Sequence, residues 1–369
     1  MSGGKFARRR VRKPLSWKKT LLLILNAALA VLAVVFAAKL HHVKQLLITQ
    51  SAAQVWQGAS DMRFAQVSAF TPAGSEVTED ELEVFHRTLE TKLTDASLET
   101  PENGSLYQAA WSTAPQDITV STASTSYTAK TIGVGGDFFL FHPLPLRSGS
   151  YISERDFTFD RVILDEELSW ALFGSYDVAG QTVWIGDEPY VVAGIVAREK
   201  DEASEKAYKD GAGMFISYSA LRHITGGEER LDPGVRAYEL VLAEPITGFA
   251  LSTLQENFPG GETCVYLQNT NRYSLKNLFT VASGFGARSM NTTGVIFPYW
   301  ENAARYTEDF AALYLVLTVL CAIFPVTCAV IFTALSLRRG GRYAARRVRA
   351  DIETRVEAKK KAHYVRRGI

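Results

Sequence analysis

Two long runs without a charged residue dominate the pattern of apolar and polar positions along this chain. The first run, residues 20–38, has 19 residues, and the second, residues 310–337, has 28. A helix needs roughly 20 apolar residues to cross the hydrocarbon core of a bilayer, and both runs reach that length. The pattern therefore predicts two transmembrane helices. The alternatives are a signal peptide for the first run and a buried core helix for the second.

Between these runs, residues 39–309 alternate between the spacing of helices and that of strands. Thr78 and Glu81 have the form of an N-terminal capping box. Four apolar residues at helical spacing follow: Leu82, Phe85, Leu89 and Leu93. Residues 118–134 are rich in β-branched side chains, and this composition predicts one long strand or a hairpin. The alternation predicts an α+β fold, a mixed-sheet extracytoplasmic domain inserted between the two transmembrane helices.

Residues 39–57 contain neither glycine nor proline. Because nothing in this stretch stops a helix, we expect the first apolar helix to continue through it as a stalk.

Charge is nearly balanced over the whole chain but unevenly distributed along it. Residues 1–19 carry eight basic side chains and no acid, residues 338–369 carry twelve basic and three acidic side chains, and the remainder is acidic. Lys and Arg concentrate on the cytoplasmic side of membrane proteins. Both termini, 1–19 and 338–369, are therefore predicted to be cytoplasmic, with residues 39–309 outside. Tyr299, Trp300 and Tyr306 are expected at the outer membrane interface.

Each apolar run carries a stripe of small or polar residues at helical spacing. The candidate helix-packing residues are Asn26, Ala30 and Ala33 in the first run and Thr318, Ala322, Pro325 and Ala329 in the second. Small residues let helix backbones approach closely in lipid, and a buried amide seeks a hydroxyl or carbonyl partner. The stripes predict packing of the two helices on each other or on partner helices. The alternative is that alanine is simply common in membrane helices.

The tail after the second run has the pattern of a basic amphipathic helix. Its candidate partner-binding or lipid-binding residues are Arg338, Arg339, Arg342, Arg346, Arg347 and Arg349. Such a helix can lie on anionic lipid or dock on an ATPase, and the alternative is a solvated tail that only sets topology.

No sequence motif of nucleotide hydrolysis or metalloprotease chemistry occurs. The phosphate-binding loop, the HExxH zinc motif, the GxSxG elbow and the dinucleotide-binding glycine pattern are all missing. The three cysteines, Cys264, Cys321 and Cys328, form no zinc-ligand pair. We therefore expect no enzyme activity, cofactor or metal, and no nucleic-acid partner.

Residues 134–218 carry a succession of motifs shared with a known family. The segments are Phe138-Phe139, Leu146–Tyr151, Asp156, Val162–Glu166, Leu172–Gly174, Gly180–Val183, Tyr190–Val196 and Met214–Tyr218. Through these motifs the chain resembles the extracytoplasmic core domain of MacB/FtsX-type ABC transporter permeases. In that family the domain also sits directly between the first and second membrane helices. Three helices usually follow it there, with a cytoplasmic loop that engages the ATPase, whereas one apolar run follows here.

The resemblance implies a permease-like subunit of an ABC-type transport or mechanotransmission complex in the plasma membrane of a bacterium. Its implied partners are membrane lipid and an ABC ATPase subunit or partner permease, in a homo- or hetero-oligomer. The alternative function is a membrane-anchored extracellular binding or scaffold protein without ATPase coupling.

Overall fold

The computed structural model has a long apolar helix before its folded domain and another after it. It describes residues 16–45, 48–101, 104–153, 156, 158–207, 213–226, 232–284 and 295–367. Most of the predicted basic segment 1–19, residues 1–15, lies outside this range. Helix α1 spans Trp17–Val43 and helix α10 spans Tyr299–Arg367, and both are long and apolar enough to cross a membrane.

The chain divides into two compact units. One comprises Met1–Leu40 with Tyr314–Ile369, and the other comprises His41–Leu313. Apart from Ser16, the described residues of the first unit are helical, and the second unit contains all the described strands.

The second unit contains eleven strands among its described residues. They are β1 (Phe64–Phe70), β2 (Tyr107–Ser112), β3 (Gln116–Ser121), β4 (Ser126–Gly136), β5 (Leu146–Gly149), β6 (Arg161–Asp165), β7 (Thr182–Ile185), β8 (Glu188–Val196), β9 (Met214–Ser217), β10 (Ala237–Ala243) and β11 (Val265–Gln268). Its complete helices are α2 (Ala52–Gln57), α3 (Glu79–Asp95), α4 (Phe138–Phe141), α5 (Glu166–Phe173), α6 (Glu202–Ala207), α7 (Tyr218–Thr225), α8 (Phe249–Asn257) and α9 (Leu275–Ser283).

All the strands belong to one mixed sheet with two differently built halves. Its order is β11-β1-β10-β2-β4-β3-β7-β8-β6-β9, with β5 beside β8. One half is an open sheet, in which neighbouring strands of the series β11–β1–β10–β2–β4 pair antiparallel. A parallel pairing of β4 with β9 closes the other half into a ring of six strands. The mixed α+β fold expected from the sequence is confirmed.

Strand β1 is buried on both faces because helices cover both sides of the open half. Phe64 and Phe70 point into one core with Ala52, Ala53 and Trp300. Ala65, Val67 and Ala69 point into the opposite core, beneath α3 and α8. A third core fills the six-stranded ring. The alternation of side chains along a strand also places Gln66 and Ser68 on the first face, as buried polar residues.

Several local predictions are confirmed. Helix α3 begins at Glu79 behind a complete capping box formed by Thr78 and Glu81. Residues 118–134 form a hairpin rather than one strand, since β3 and β4 pair with each other. Helix α5 ends at Gly174, which adopts the left-handed conformation with φ 65°.

The predicted stalk is wrong. Helix α1 ends at Val43, and residues Ala52–Gln57 form a separate short helix. Ala52 and Ala53 are buried against the sheet, and the Ala52 N–H donates to the Gln66 side chain at 3.1 Å. Burial of this segment in the core outweighs the continuous helix that its local sequence favours.

Candidate transmission site at the start of the second apolar helix

The first turns of α10 are built into the core of the second unit. Trp300, Glu301, Ala303, Ala304 and Glu308 are buried. The expectation that Trp300 lies at a membrane interface is therefore wrong, since it is only 3% exposed and packs in the core beside Phe138. The helix that continues as the second apolar run thus begins inside the folded domain.

A buried ion cluster fixes one face of these turns. The Arg272 guanidinium donates to both carboxylate oxygens of Glu301, at 2.8 Å for Nη1–Oε2, and its Nε lies 3.1 Å from Glu308 Oε1. Burial disfavours the charged guanidinium, but the carboxylates of Glu301 and Glu308 outweigh this effect and raise the pKa of Arg272. Burial also raises the pKa of Glu301, although the neighbouring Arg272 opposes this shift. The charged guanidinium makes charge-assisted hydrogen bonds to Glu301.

A polar chain links this cluster to the central sheet. Arg272 Nη1 donates to the Gln50 side-chain oxygen at 3.1 Å, and Asn269 Nδ2 donates to the same oxygen at 3.0 Å. Ser68, on β1, donates to Asn269 Oδ1 at 2.9 Å. The chain Ser68–Asn269–Gln50–Arg272–Glu301 thus joins β1, the strand next to the edge strand β11, to the first turn of α10. We call it the polar chain.

An aromatic and hydrogen-bonded cluster holds the same turn of α10 at Trp300. His142 packs between Phe138 and Trp300, with ring centroids 4.4 and 4.5 Å away. Its Nε2 lies 2.5 Å from Glu239 Oε2, on β10, and both side chains are buried. Trp300 is therefore held by residues that are themselves fixed to the sheet.

Helix α6 supplies a third contact, at the second turn of α10. Lys206 Nζ donates to the Tyr306 hydroxyl at 2.7 Å, and that hydroxyl donates to Glu202 at 3.0 Å. Hydrogen bonds to Tyr306 and Glu202 raise the pKa of Lys206. This contact is exposed, so water and salt screen its charges. It therefore contributes less than the buried polar chain does.

Together these contacts oppose rotation or translation of the start of α10 within the domain. Any such movement separates the Arg272 and Glu301 charges in a buried environment, which is costly unless new partners form. The start of α10 is therefore fixed to the sheet by buried polar contacts. Among the residues that the structure describes, no group of three or more His, Cys, Asp or Glu could hold a metal ion.

The residues predicted for helix packing lie in the first unit. Asn26, Ala30 and Ala33 are half-buried on one face of α1, the face on which Phe36 stacks on Tyr314 with ring centroids 6.4 Å apart. Of the candidates on α10, Thr318, Ala322 and Pro325 are half-buried. Ala329 is exposed. The packing of these stripes stays a prediction.

The six tail arginines are exposed along the helical part of α10 after the apolar run: Arg338, Arg339, Arg342, Arg346, Arg347 and Arg349. The helix expected there is present, and its binding role stays a prediction.

Sequence reasoning missed the residues of the polar chain. Glu301 and Glu308 are seven residues apart, two helical turns, and so share a face just before an apolar run. This spacing is the one local signal that could have identified them. Nothing in the sequence near Gln50 or Arg272 indicates that they meet, because the contact depends on the sheet order.

Comparison with known proteins gives one family match and several partial similarities. The family described as MacB-like periplasmic core domain matches residues 20–247, more than half of the chain. A curated protein, the macrolide export ATP-binding/permease protein MacB of Chromobacterium violaceum, is 38% identical over 106 residues. That match covers 28% of this chain and only 16% of the curated protein.

Solved structures of extracytoplasmic regions are also similar at low identity. The periplasmic region of MacB from Actinobacillus actinomycetemcomitans is 16% identical, with a TM-score of 0.40. The match covers 61% of this chain and 98% of the solved chain. The extracellular domain of the noncanonic ABC-type transporter YknZ from Gram-positive bacteria is 16% identical, with a TM-score of 0.36. This match covers 55% of this chain and 98% of the solved chain.

Proposed function

This chain belongs to the MacB-like periplasmic core domain family, and we propose that it is a permease-like membrane subunit of an ABC-type transport or mechanotransmission complex. In this proposal α1 and α10 span the plasma membrane of a bacterium, both termini are cytoplasmic and residues 39–309 lie outside. The basic clusters at the two ends of the sequence support this orientation.

The observation that carries the proposal is the polar chain. It connects the sheet, through Gln50 and Arg272, to Glu301 in the helix that continues as the second apolar run. A protein that only displays a domain outside the cell needs no buried ionic link of this kind, since a flexible linker suffices. A protein that transmits movement through a membrane helix needs such a link because the helix must move with the domain.

We assign the cytoplasmic partner surface to the exposed arginines of the tail. Arg346, Arg347 and Arg349 lie within one helical turn of each other and form a compact cationic surface. In the proposed topology this surface faces the cytoplasmic leaflet, where it binds anionic lipid or an ATPase subunit, at about 1 kcal/mol per cation near anionic lipid. Partner permeases or further copies of the chain complete the complex.

Copurification tests the ATPase partnership. The tagged chain is extracted in mild detergent from its native host and captured with and without a non-hydrolysable ATP analogue, and bound proteins are identified by mass spectrometry. We expect an ABC ATPase subunit whose recovery depends on nucleotide. Replacing Arg346, Arg347 and Arg349 with Glu lowers its recovery, whereas Lys276→Glu, an exposed charge reversal in the folded domain, leaves it unchanged.

Absence of any ABC ATPase under both conditions would contradict the proposal. That result would favour the second candidate, a membrane-anchored extracellular binding or scaffold protein without ATPase coupling.

A further inference from the structure

Helix α9 is bonded to α10 just before the apolar run of that helix begins. Asn277, on α9, directs its side-chain N–H groups to Glu308 Oε1 at 3.4 Å and to the Arg272 carbonyl at 2.7 Å. The run of uncharged residues begins at Phe310, two residues after Glu308. Two residues of an α-helix rise by about 3 Å. All of these residues belong to the second unit, so this unit holds α9 close to the start of the run.

In the proposed topology, this level of α10 lies among the headgroups of the outer leaflet. The headgroups occupy about 5 to 7 Å on each side of the hydrocarbon core, which exceeds the helix rise between Glu308 and the run. Ala311 and Ala312 are completely buried, so protein surrounds α10 beyond the first residue of the run. Side chains beside Glu308 are therefore within reach of lipid.

Two large apolar side chains project outward from α9. Leu275 and Phe279 are 58% and 53% exposed, and their spacing of four residues places them on one face of the helix. Leu278 and Val281 lie on another face and are buried. Thr280 lines a polar groove beside strand β11. Helix α9 thus has a buried side, a polar side on this groove and an apolar side that is open to its surroundings.

We propose that the face of α9 formed by Leu275 and Phe279 inserts into the outer leaflet of the membrane that α10 crosses. Burying apolar side chains at the boundary between headgroups and acyl chains is what binds amphipathic helices to membranes. This face meets lipid only in the topology of the proposed function, on which the proposal therefore rests. Because Asn277 bonds Glu308 and the Arg272 carbonyl, lipid that holds α9 also holds the buried ion cluster at the start of α10.

Spin labels on single cysteines test the contact in the full chain, reconstituted in lipid nanodiscs with Cys321 and Cys328 replaced by alanine. Power-saturation EPR compares the access of oxygen, which concentrates in lipid, with that of a water-soluble nickel chelate. We expect a severalfold higher ratio of oxygen to nickel access at Phe279→Cys than at Thr280→Cys or Trp170→Cys. Trp170 lies on α5 in the closed half of the sheet and is 58% exposed. Protein without an introduced cysteine supplies the background.

A matched pair of charge insertions tests the apolar face without changing the labelled residue. Leu275→Asp places a charge one turn from the label at Phe279 and should lower its ratio of oxygen to nickel access, because a carboxylate resists transfer out of water. Trp170→Asp makes the same insertion at an equally exposed residue and should leave that ratio unchanged. Neither change removes a buried side chain, so both variants should retain the fold.

Three results would each overturn the proposal. One is a label at Phe279 that meets the nickel chelate as readily as the label at Trp170 does. Another is an equal ratio at Phe279 and Thr280. The third is a label at Phe279 that is immobilised and shielded from both reagents, which would show that protein covers this face.

A label at Val330, an exposed position within the apolar run, separates failure of the lipid contact from failure of the topology. If Val330→Cys favours oxygen and Phe279→Cys does not, only the lipid contact of α9 fails. If Val330→Cys also favours the nickel chelate, the proposed topology fails together with the contact.

Discussion

Arg272 and Glu301 form a two-point ion pair that is almost completely buried, with side chains 4% and 1% exposed. Arg272 lies just after the edge strand β11, and Glu301 lies in the first turn of α10. The pair therefore joins the edge of the sheet to the helix that continues as the second apolar run. Glu308 and Gln50 complete the coordination of the guanidinium.

Removing one member of this pair should destabilise the domain strongly. Glu301→Gln leaves Arg272 buried with one carboxylate fewer, and we expect a loss of about 3 kcal/mol in the free energy of unfolding. Chemical denaturation of the detergent-solubilised chain, followed by tryptophan fluorescence, measures it. The control is Arg87→Gln at the exposed pair Arg87–Glu83, which should change the free energy by less than about 0.5 kcal/mol.

Replacing the whole buried cluster separates stability from transmission. An Arg272→Met, Glu301→Leu, Glu308→Gln triple variant removes the guanidinium together with both carboxylates that bind it and should lose less stability than Glu301→Gln. If the triple variant is stable and still shows nucleotide-sensitive capture of the ATPase with unaltered ATPase activity, the cluster does not transmit movement.

Two glycines with nearly the same φ should respond very differently to alanine. At Gly136, φ is 62° and a Cβ would lie 2.2 Å from the Ala109 carbonyl oxygen, whereas at Gly174, φ is 65° and nothing lies within 4 Å. Gly174→Ala should cost about 1 kcal/mol, from backbone strain alone. Gly136→Ala adds a clash with the backbone of β2 and should cost more than about 3 kcal/mol. Equal losses on chemical denaturation would show that the strand moves to accommodate the methyl group.

Stability should fall as the pH is lowered through the titration of His86. Burial lowers the pKa of this imidazole below its ordinary value of 6.5, although Glu90 and Glu83 oppose the shift. Since the unfolded chain then binds the proton more readily than the folded one, stability is complete above about pH 6.5 and declines below it. The Tm at pH 5.5 should therefore lie below that at pH 7.5.

His86→Gln removes this titration and retains a side chain able to bond the Tyr238 hydroxyl, which lies 3.0 Å from Nε2. The Tm difference between the two pH values should shrink in this variant. An unchanged difference would mean that other groups dominate the acid response.

The stacking of Phe36 on Tyr314 predicts a cross-link between the apolar helices. Cysteines at these two positions, with Cys321 and Cys328 replaced by alanine, should form a cross-link in membranes treated with a short bifunctional reagent. Adding Ala30→Leu should lower its yield because a larger side chain separates closely packed helices. Val34→Leu enlarges a side chain on the exposed face and serves as the control. Equal yields in the two variants would show that the small-residue stripe is not an interface.

The local sequence pattern was sufficient to predict structures that are formed by residues close together in the chain. The capping box at Thr78, the hairpin of β3 and β4 and the left-handed end of α5 at Gly174 all follow from neighbouring side chains and backbone preferences. The same reasoning failed at Ala52–Gln57. Its local sequence favours a continuing helix, but contacts with a distant strand decide its position.

By itself, the sequence determined the two apolar helices, the acidic α+β domain between them and the motifs of its family, because periodicity and charge act over a few residues. Only the tertiary structure decided that β4 pairs with β9, that Trp300 is buried and that Arg272 meets Glu301. These contacts join segments far apart in the chain. Their partners are selected by strand order and by the requirement that every buried charge be paired, and neither condition can be read from local spacing.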